Sequence, residues 1–418
     1  MLSAIANAFK VPDLRKKILF TLFIVALYRI GCFIPVPGVD IDIIKSTVDQ
    51  NAALGMLNLF TGGALETFAV FAMGVMPYIT ASIIMQLLQA AIPALERLAK
   101  EGESGQRKIT QYTRYMTLGI GAIEAIGYLS MFQGSITTGT GIPAAVTNIM
   151  IVVTLLAGTA LIMWLAELIT QRGIGNGMSL LIFVNIVARF PSALVQSMNL
   201  GNILTTILIL VIVLAVIALI IFVDRGQRRI PVQYAKRIVG RRVMGGSGTY
   251  IPLKVNGANV VPIIFASAIL AVPAQLSTIF PKAAWLGVFS NAVSSGWINW
   301  IVQFVLIVFF SYFYTALVFN PTEISDNLRK QGGFVPGVRP GTTTTAYIER
   351  IMNRITLPGA LFLGIIAVGT SILFTLTNNT MVRQFGGTSI LIMVSVALET
   401  MTQIESQLKM RHYDGFFK

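Results

Sequence analysis

Long apolar stretches recur along the chain, and their length decides what they can be. A helix needs about 20 mostly apolar residues to cross the ~30 Å hydrocarbon core of a bilayer. Ten runs approach that requirement: 18–34, 68–92, 115–133, 146–169, 179–190 with its flanks, 203–223, 260–280, 298–319, 357–376 and 388–404. The fifth is short and ends in Arg189–Phe190–Pro191. The first follows a polar arm holding Lys10, Arg15, Lys16 and Lys17 and has no small-residue cleavage site, so it is expected to remain as a span. The pattern predicts an all-α polytopic membrane protein with ten transmembrane helices.

Composition agrees. Of 418 residues, 55% are hydrophobic and 11% charged, where soluble domains carry about 25% charge. One cysteine, Cys32, and one histidine, His412, exclude a disulfide framework, a cysteine or histidine metal centre and a histidine-based triad. No phosphate-binding loop of the GxxxxGK[ST] type is present, and no catalytic pair stands out, so neither an enzyme nor a cofactor is expected.

Charge sets orientation. With the N-terminus inside, 26 of the 31 Lys and Arg fall on one side and only Lys45, Lys282 and Arg383 on the other, while Arg29 and Arg189 lie in or beside spans. The positive-inside rule then predicts both termini cytoplasmic. Ten spans divide into halves of five, 1–200 and 201–418. Five is odd, so a second half built like the first lies inverted, with a path between the two.

Few ionisable groups sit within the spans: Arg29, Glu124, Glu167 and Glu399. Three lie toward span ends, where snorkelling to the interface is expected. Glu124 is central and reads as a protonated or amide-bonded acid facing other helices. Ion-coupled solute transporters usually carry buried, paired carboxylates, and this chain does not. A small-solute transporter remains the rival reading and predicts gradient-driven uptake that depends on Glu124.

Three segments fit neither a span nor a plain connector. Residues 52–67 are apolar but too short and glycine-rich to cross. Two readings fit them: a re-entrant half-helix stoppering a cavity, or an interfacial loop on the outer surface. The loops at 224–256 and 320–356 carry 13 of the 26 inside cations. Alternation through Arg229–Ile230–Pro231–Val232–Gln233–Tyr234 predicts a strand, with a turn at Gly240. Gly337–Val338–Arg339–Pro340 predicts a rigid turn presenting one arginine. Such arms suit anionic phospholipid, structured RNA or an acidic protein surface. Gly173–Ile174–Gly175–Asn176–Gly177 joins two spans, where close packing explains the glycines better than phosphate binding does.

Several motifs, in order, resemble the SecY family. They are Phe33–Ile34–Pro35–Val36–Pro37–Gly38, Met76–Pro77–Tyr78–Ile79–Thr80–Ala81, Lys100–Glu101–Gly102–Glu103–Ser104–Gly105, Arg172–Gly173–Ile174–Gly175–Asn176–Gly177, Arg225–Gly226–Gln227–Arg228–Arg229 and Phe319–Asn320–Pro321. The resemblance runs from about residue 10 to Arg411–His412–Tyr413–Asp414–Gly415–Phe416. It implies the protein-conducting channel of the bacterial cytoplasmic membrane, with two inverted five-helix halves around an hourglass pore. Secretory polypeptides would cross it, and hydrophobic segments would leave sideways into lipid, where apolar residues gain and charges cost about +2.5 to +3.5 kcal/mol each.

The resemblance also assigns residues. A plug at about 57–68 includes Phe60, Thr61, Gly62, Gly63, Ala64 and Leu65. An aliphatic pore ring falls on Val75, Ile79, Ile182, Ile264 and Ile392. Arg241, Arg242 and Arg339 match the tips that dock the ribosome or the SecA motor, and small SecE-like and SecG-like subunits are the implied partners. One departure lies beside the lateral gate, where Asn259 replaces a glycine; it either polarises the gate or caps the helix. A ring of branched aliphatic side chains offers water and ions no hydrogen bonds, so when narrow it dewets.

Overall fold

The computed structural model describes residues 9–50, 52–136, 143–200, 203–234, 237–239, 242–244, 249–280, 283–294, 296–377 and 387–414. The ten apolar runs each overlap a helix, in whole or in part. These helices are α1 (Pro12–Gly31), α4 (Met76–Ala91), α6 (Glu103–Met131), α7 (Ala144–Arg172), α8 (Gly177–Leu200), α9 (Ile203–Asp224), α10 (Val261–Ile279), α12 (Gly296–Val318), α14 (Thr342–Thr377) and α15 (Gly387–Asp414). Between them lie α2 (Ile41–Gln50), α3 (Ala52–Phe60), α5 (Pro93–Lys100), α11 (Ala284–Ser294) and α13 (Pro321–Lys330). Five helical segments are each long and apolar enough to cross a membrane: Ala144–Arg172, Thr206–Asp224, Gly296–Lys330, Thr342–Leu373 and Gly387–Met410. α4 and α5 together pass the same test but bend by 100° at their junction. There Ile92 is extended (φ −107°, ψ 112°), as a residue before proline prefers. The chain is a polytopic α-helical membrane protein.

The second run departs from expectation. Its first eight residues, 68–75, form successive turns, and the helix begins only at Met76. The cause is a partner far away in sequence. Residues 34–36 run antiparallel to 68–70, with Val36 N donating to Phe68 O (2.9 Å) and Val70 N to Ile34 O (2.9 Å). The motif at Phe33–Gly38 is therefore a backbone staple. It holds the end of the 52–67 segment against the top of α1.

The basic loops meet in one small sheet of order β4–β1–β5, formed by β1 (Gln227–Tyr234), β4 (Thr249–Lys254) and β5 (Gly333–Phe334). Burial of Ile230 and Val232 between exposed neighbours explains the alternation seen in the sequence. β2 (Arg237–Val239) pairs with β3 (Arg242–Met244) as a hairpin. Its predicted turn residue, Gly240, lies outside the described residues. A separate apolar core of Ile230, Leu253, Val335, Ile348 and Met352 ties both loops to the first turns of α14. What the sequence presents as two arms is thus one folded unit.

Phe319–Asn320–Pro321 also finds a local reason. The Asn320 side chain accepts from the backbone N–H of Thr322 (3.2 Å) and Glu323 (3.4 Å). It caps α13, and Pro321 occupies the first turn, where its missing N–H costs nothing.

Candidate functional site

The five aliphatic positions lie in or beside four helices. Val75 immediately precedes α4 and Ile79 lies in its first turn, Ile182 in α8, Ile264 at the start of α10 and Ile392 near the start of α15. None is more than 8% exposed, and all belong to one continuous apolar core. Ile79, Ile182 and Ile264 line a cavity of about 380 Å³, whose wall also includes polar Ser82, Gln86 and Asn176 and apolar Val261 and Phe265. Three branched hydrocarbon side chains thus share a chamber with groups that water can wet. Val75 and Ile392 lie outside its lining and pack in the same core.

Residues 57–68 pack within this core. Leu57, Phe60, Thr61, Ala64 and Leu65 are all buried, and α3 contacts α8 and α10. Such burial excludes a loop lying on an outer surface. The helical part ends at Phe60, and the turn that follows needs two glycines. Gly62 and Gly63 have φ of +66° and +95°. A Cβ on Gly62 would also lie 2.5 Å from Asn185 Oδ1, and one on Gly63 3.0 Å from Arg189 Nη2.

Those contacts lead to Asn185 and Glu66, which the residue pattern did not single out, and to Arg189 and Arg29, which it did. Asn185 donates from Nδ2 to Phe60 O (2.6 Å) and Tyr28 Oη (2.8 Å). Arg189 Nη2 pairs with Glu66 Oε2 at 2.6 Å. Arg29 was expected to snorkel. It instead donates to Gly62 O (3.2 Å) and stacks 5.3 Å above the Phe33 ring. Glu167 was expected to do the same, yet its two oxygens accept from Nε (2.7 Å to Oε1) and Nη2 along one edge of the Arg114 guanidinium. Glu124 is buried on α6, and its Oε2 has no hydrogen-bond partner among the described residues.

The remaining site positions separate. Arg339 is exposed on the turn after β5, and its carbonyl accepts from Thr344 Oγ1 (2.8 Å). Arg242 begins β3, opposite Val239. Arg241 lies outside the described residues.

Asn259 has φ +51° just before α10, and the helix entry has no side-chain cap bond. The left-handed backbone accounts for the position. Glycine adopts it freely, and asparagine tolerates it better than other residues do. The capping alternative is corrected accordingly. Asn259→Gly is expected to leave stability unchanged within a few tenths of a kcal/mol, whereas Asn259→Val should cost about 1–2 kcal/mol. Thermal denaturation of the purified variants checks both; equal melting of the valine form would refute the backbone account.

A SecY family model matches residues 69–401. A curated relative from Streptomyces coelicolor, protein translocase subunit SecY, is 47% identical, and the alignment covers 100% of both chains. Among solved structures, one concerns a SecY protein whose plug domain stabilises the closed state of the translocation channel and maintains a membrane seal. It aligns at TM-score 0.63 and 16% identity, over 93% of this chain and 91% of that one. Sec61 in the canine ribosome–channel complex aligns at 0.61 and 16% identity, with the same shares covered.

Proposed function

The chain belongs to the SecY family of protein-translocation channels, and from that premise we propose how its own residues seal, open and dock. It is a multi-pass membrane protein that conducts polypeptide, and it is not an enzyme. Val75, Ile79, Ile182, Ile264 and Ile392 form the resting constriction, and 57–68 is the plug above it. The observation that carries this reading is the cavity lined by Ile79, Ile182 and Ile264, with the glycine-turned segment buried in the same core.

Hydrocarbon suits the task. A polar filter selects one solute by replacing its hydration shell, whereas aliphatic side chains move aside for any extended chain and close again without specific bonds. Residues 1–200 and 201–418 act as the two inverted halves. Separation of α4 and α6 from α10 and α12 opens the lateral gate beside Asn259, and hydrophobic segments partition through it into lipid.

The cytoplasmic sheet is the docking unit. Joining both basic loops through β1 and β5 places the Arg339 turn in the same folded unit as the 227–234 strand, and Arg242 lies in β3 of the neighbouring loop segment. A ribosome or a SecA-like motor docks there and supplies the energy, with anionic phospholipid as a further contact. SecE-like and SecG-like subunits complete the complex. The location is the bacterial cytoplasmic membrane, with both termini inside.

Cysteines placed at Ile79 and Ile264 should cross-link to a stalled secretory chain. Absence of adducts in an assembled complex with engaged substrate would sink the ring assignment.

A further inference from the structure

Of the 31 cations, only Arg29 and Arg189 fall to neither side of the membrane in the charge count. Both reach the plug. We infer that Arg189 and Glu66, supported by Asn185 and Arg29, form a polar latch that sets how readily the plug leaves, separately from the aliphatic ring. This rests on the reading of 57–68 as the plug.

The geometry is that of a catch with a prepared receiver. Glu66 Oε2 accepts from Asn58 Nδ2 (2.7 Å), and the Glu66 N–H donates to Asn58 Oδ1 (3.2 Å). This reciprocal pair closes the turn and presents the carboxylate before Arg189 arrives. Arg189 and Asn185 are one helical turn apart on α8, so both face the same target. Asn185 takes the carbonyl of Phe60 while Arg29 on α1 takes that of Gly62. The Phe60 carbonyl closes α3 and that of Gly62 lies two residues beyond it, so the Arg29 cation sits near the C-terminal end of the helix, where the dipole favours it.

Burial makes the pair matter. The Arg189 and Glu66 side chains are 15% and 30% exposed, so water compensates little when they part. Removing one partner leaves the other charge partly desolvated, which disfavours the closed arrangement more than losing a solvated surface pair would. Among the described residues, the latch's polar contacts from outside the plug come from α1 and α8, in the first half of the chain, while the second half reaches α3 through packing by α10. Movement of α10 removes that packing and leaves the polar latch in place, so release of the plug is a distinct step.

The test uses the full-length chain with its partner subunits in native membrane vesicles, reading ion leak per inserted channel. Deletion of 57–66 sets the unplugged level. Arg189→Glu and Glu66→Arg singly, and the milder Glu66→Gln, are compared with the exchanged pair Glu66→Arg/Arg189→Glu. Each single reversal should raise leak about tenfold, Glu66→Gln by a smaller factor, and the exchange should return it to near the unaltered level. If deletion raises leak while the reversals do not, the latch is wrong and the plug stands. If the reversals leak but the exchange restores nothing, the pairing is wrong. If deletion itself leaves leak unchanged, the plug reading fails, and the latch with it.

Discussion

Channels carrying Ile79→Asn together with Ile264→Asn are expected to conduct ions at rest, with leak raised at least about tenfold over the unaltered channel. Both side chains are buried and line the chamber. Each replacement forfeits about 1.5–3 kcal/mol of apolar burial. Each also places an amide where an unpaired polar group costs about 1–3 kcal/mol. The closed arrangement relieves that cost by admitting water, and a wetted constriction no longer excludes ions. Ile79→Leu with Ile264→Leu keeps the hydrocarbon and should stay tight. Planar-bilayer conductance without substrate distinguishes the two. An asparagine channel as tight as the leucine channel would show that the seal lies elsewhere.

Much of this arrangement is written in the chain, for physical reasons that differ by element. Bilayer thickness dictates the length of apolar runs, so helices such as α7 and α9 are legible without any partner. The strand at 229–234 is legible too, because one of its faces is buried and the other is not. Its partners are not, since β5 is two residues long and lies about 100 residues away. The turns at 68–75 hide inside an apolar run because their cause, pairing with 34–36, is invisible to any local period. The ring positions are reachable only through resemblance, as nothing in a single isoleucine marks it as facing a pore. The latch escapes a helix-by-helix reading altogether, because Glu66 and Arg189 are 123 residues apart. Its one trace in the sequence is a pair of cations that orientation alone does not explain. Arg29 and Arg189 stay near the membrane because each has a partner there.

Gly158→Ala should destabilise the protein sharply, although alanine is the better helix former by about 1 kcal/mol. Gly158 lies within α7, and a Cβ there would sit 2.0 Å from the backbone carbonyl oxygen of Val70 and 2.9 Å from its carbon. A backbone atom cannot rotate away as a side chain tip does, so either α7 or the 68–75 segment must move by more than 1 Å to reach ordinary contact near ~3.5 Å. The core around it is continuous, with Ala69, Phe71 and Leu155 all buried, and overpacking of this kind costs about 1–3 kcal/mol or more. Gly119→Ala on α6 is the matched control, because no heavy atom lies within 4 Å of its added Cβ. It should melt at or slightly above the unaltered temperature while Gly158→Ala melts several degrees lower in the same detergent. The defect should also reach function. In the chain Val70 lies between Leu65 of the proposed plug and Val75 of the proposed ring, so displacing it is expected to shift both. Surviving Gly158→Ala channels should therefore leak at rest, and normal melting with a tight channel would mean that α7 and the 68–75 turns pack less closely than these distances state.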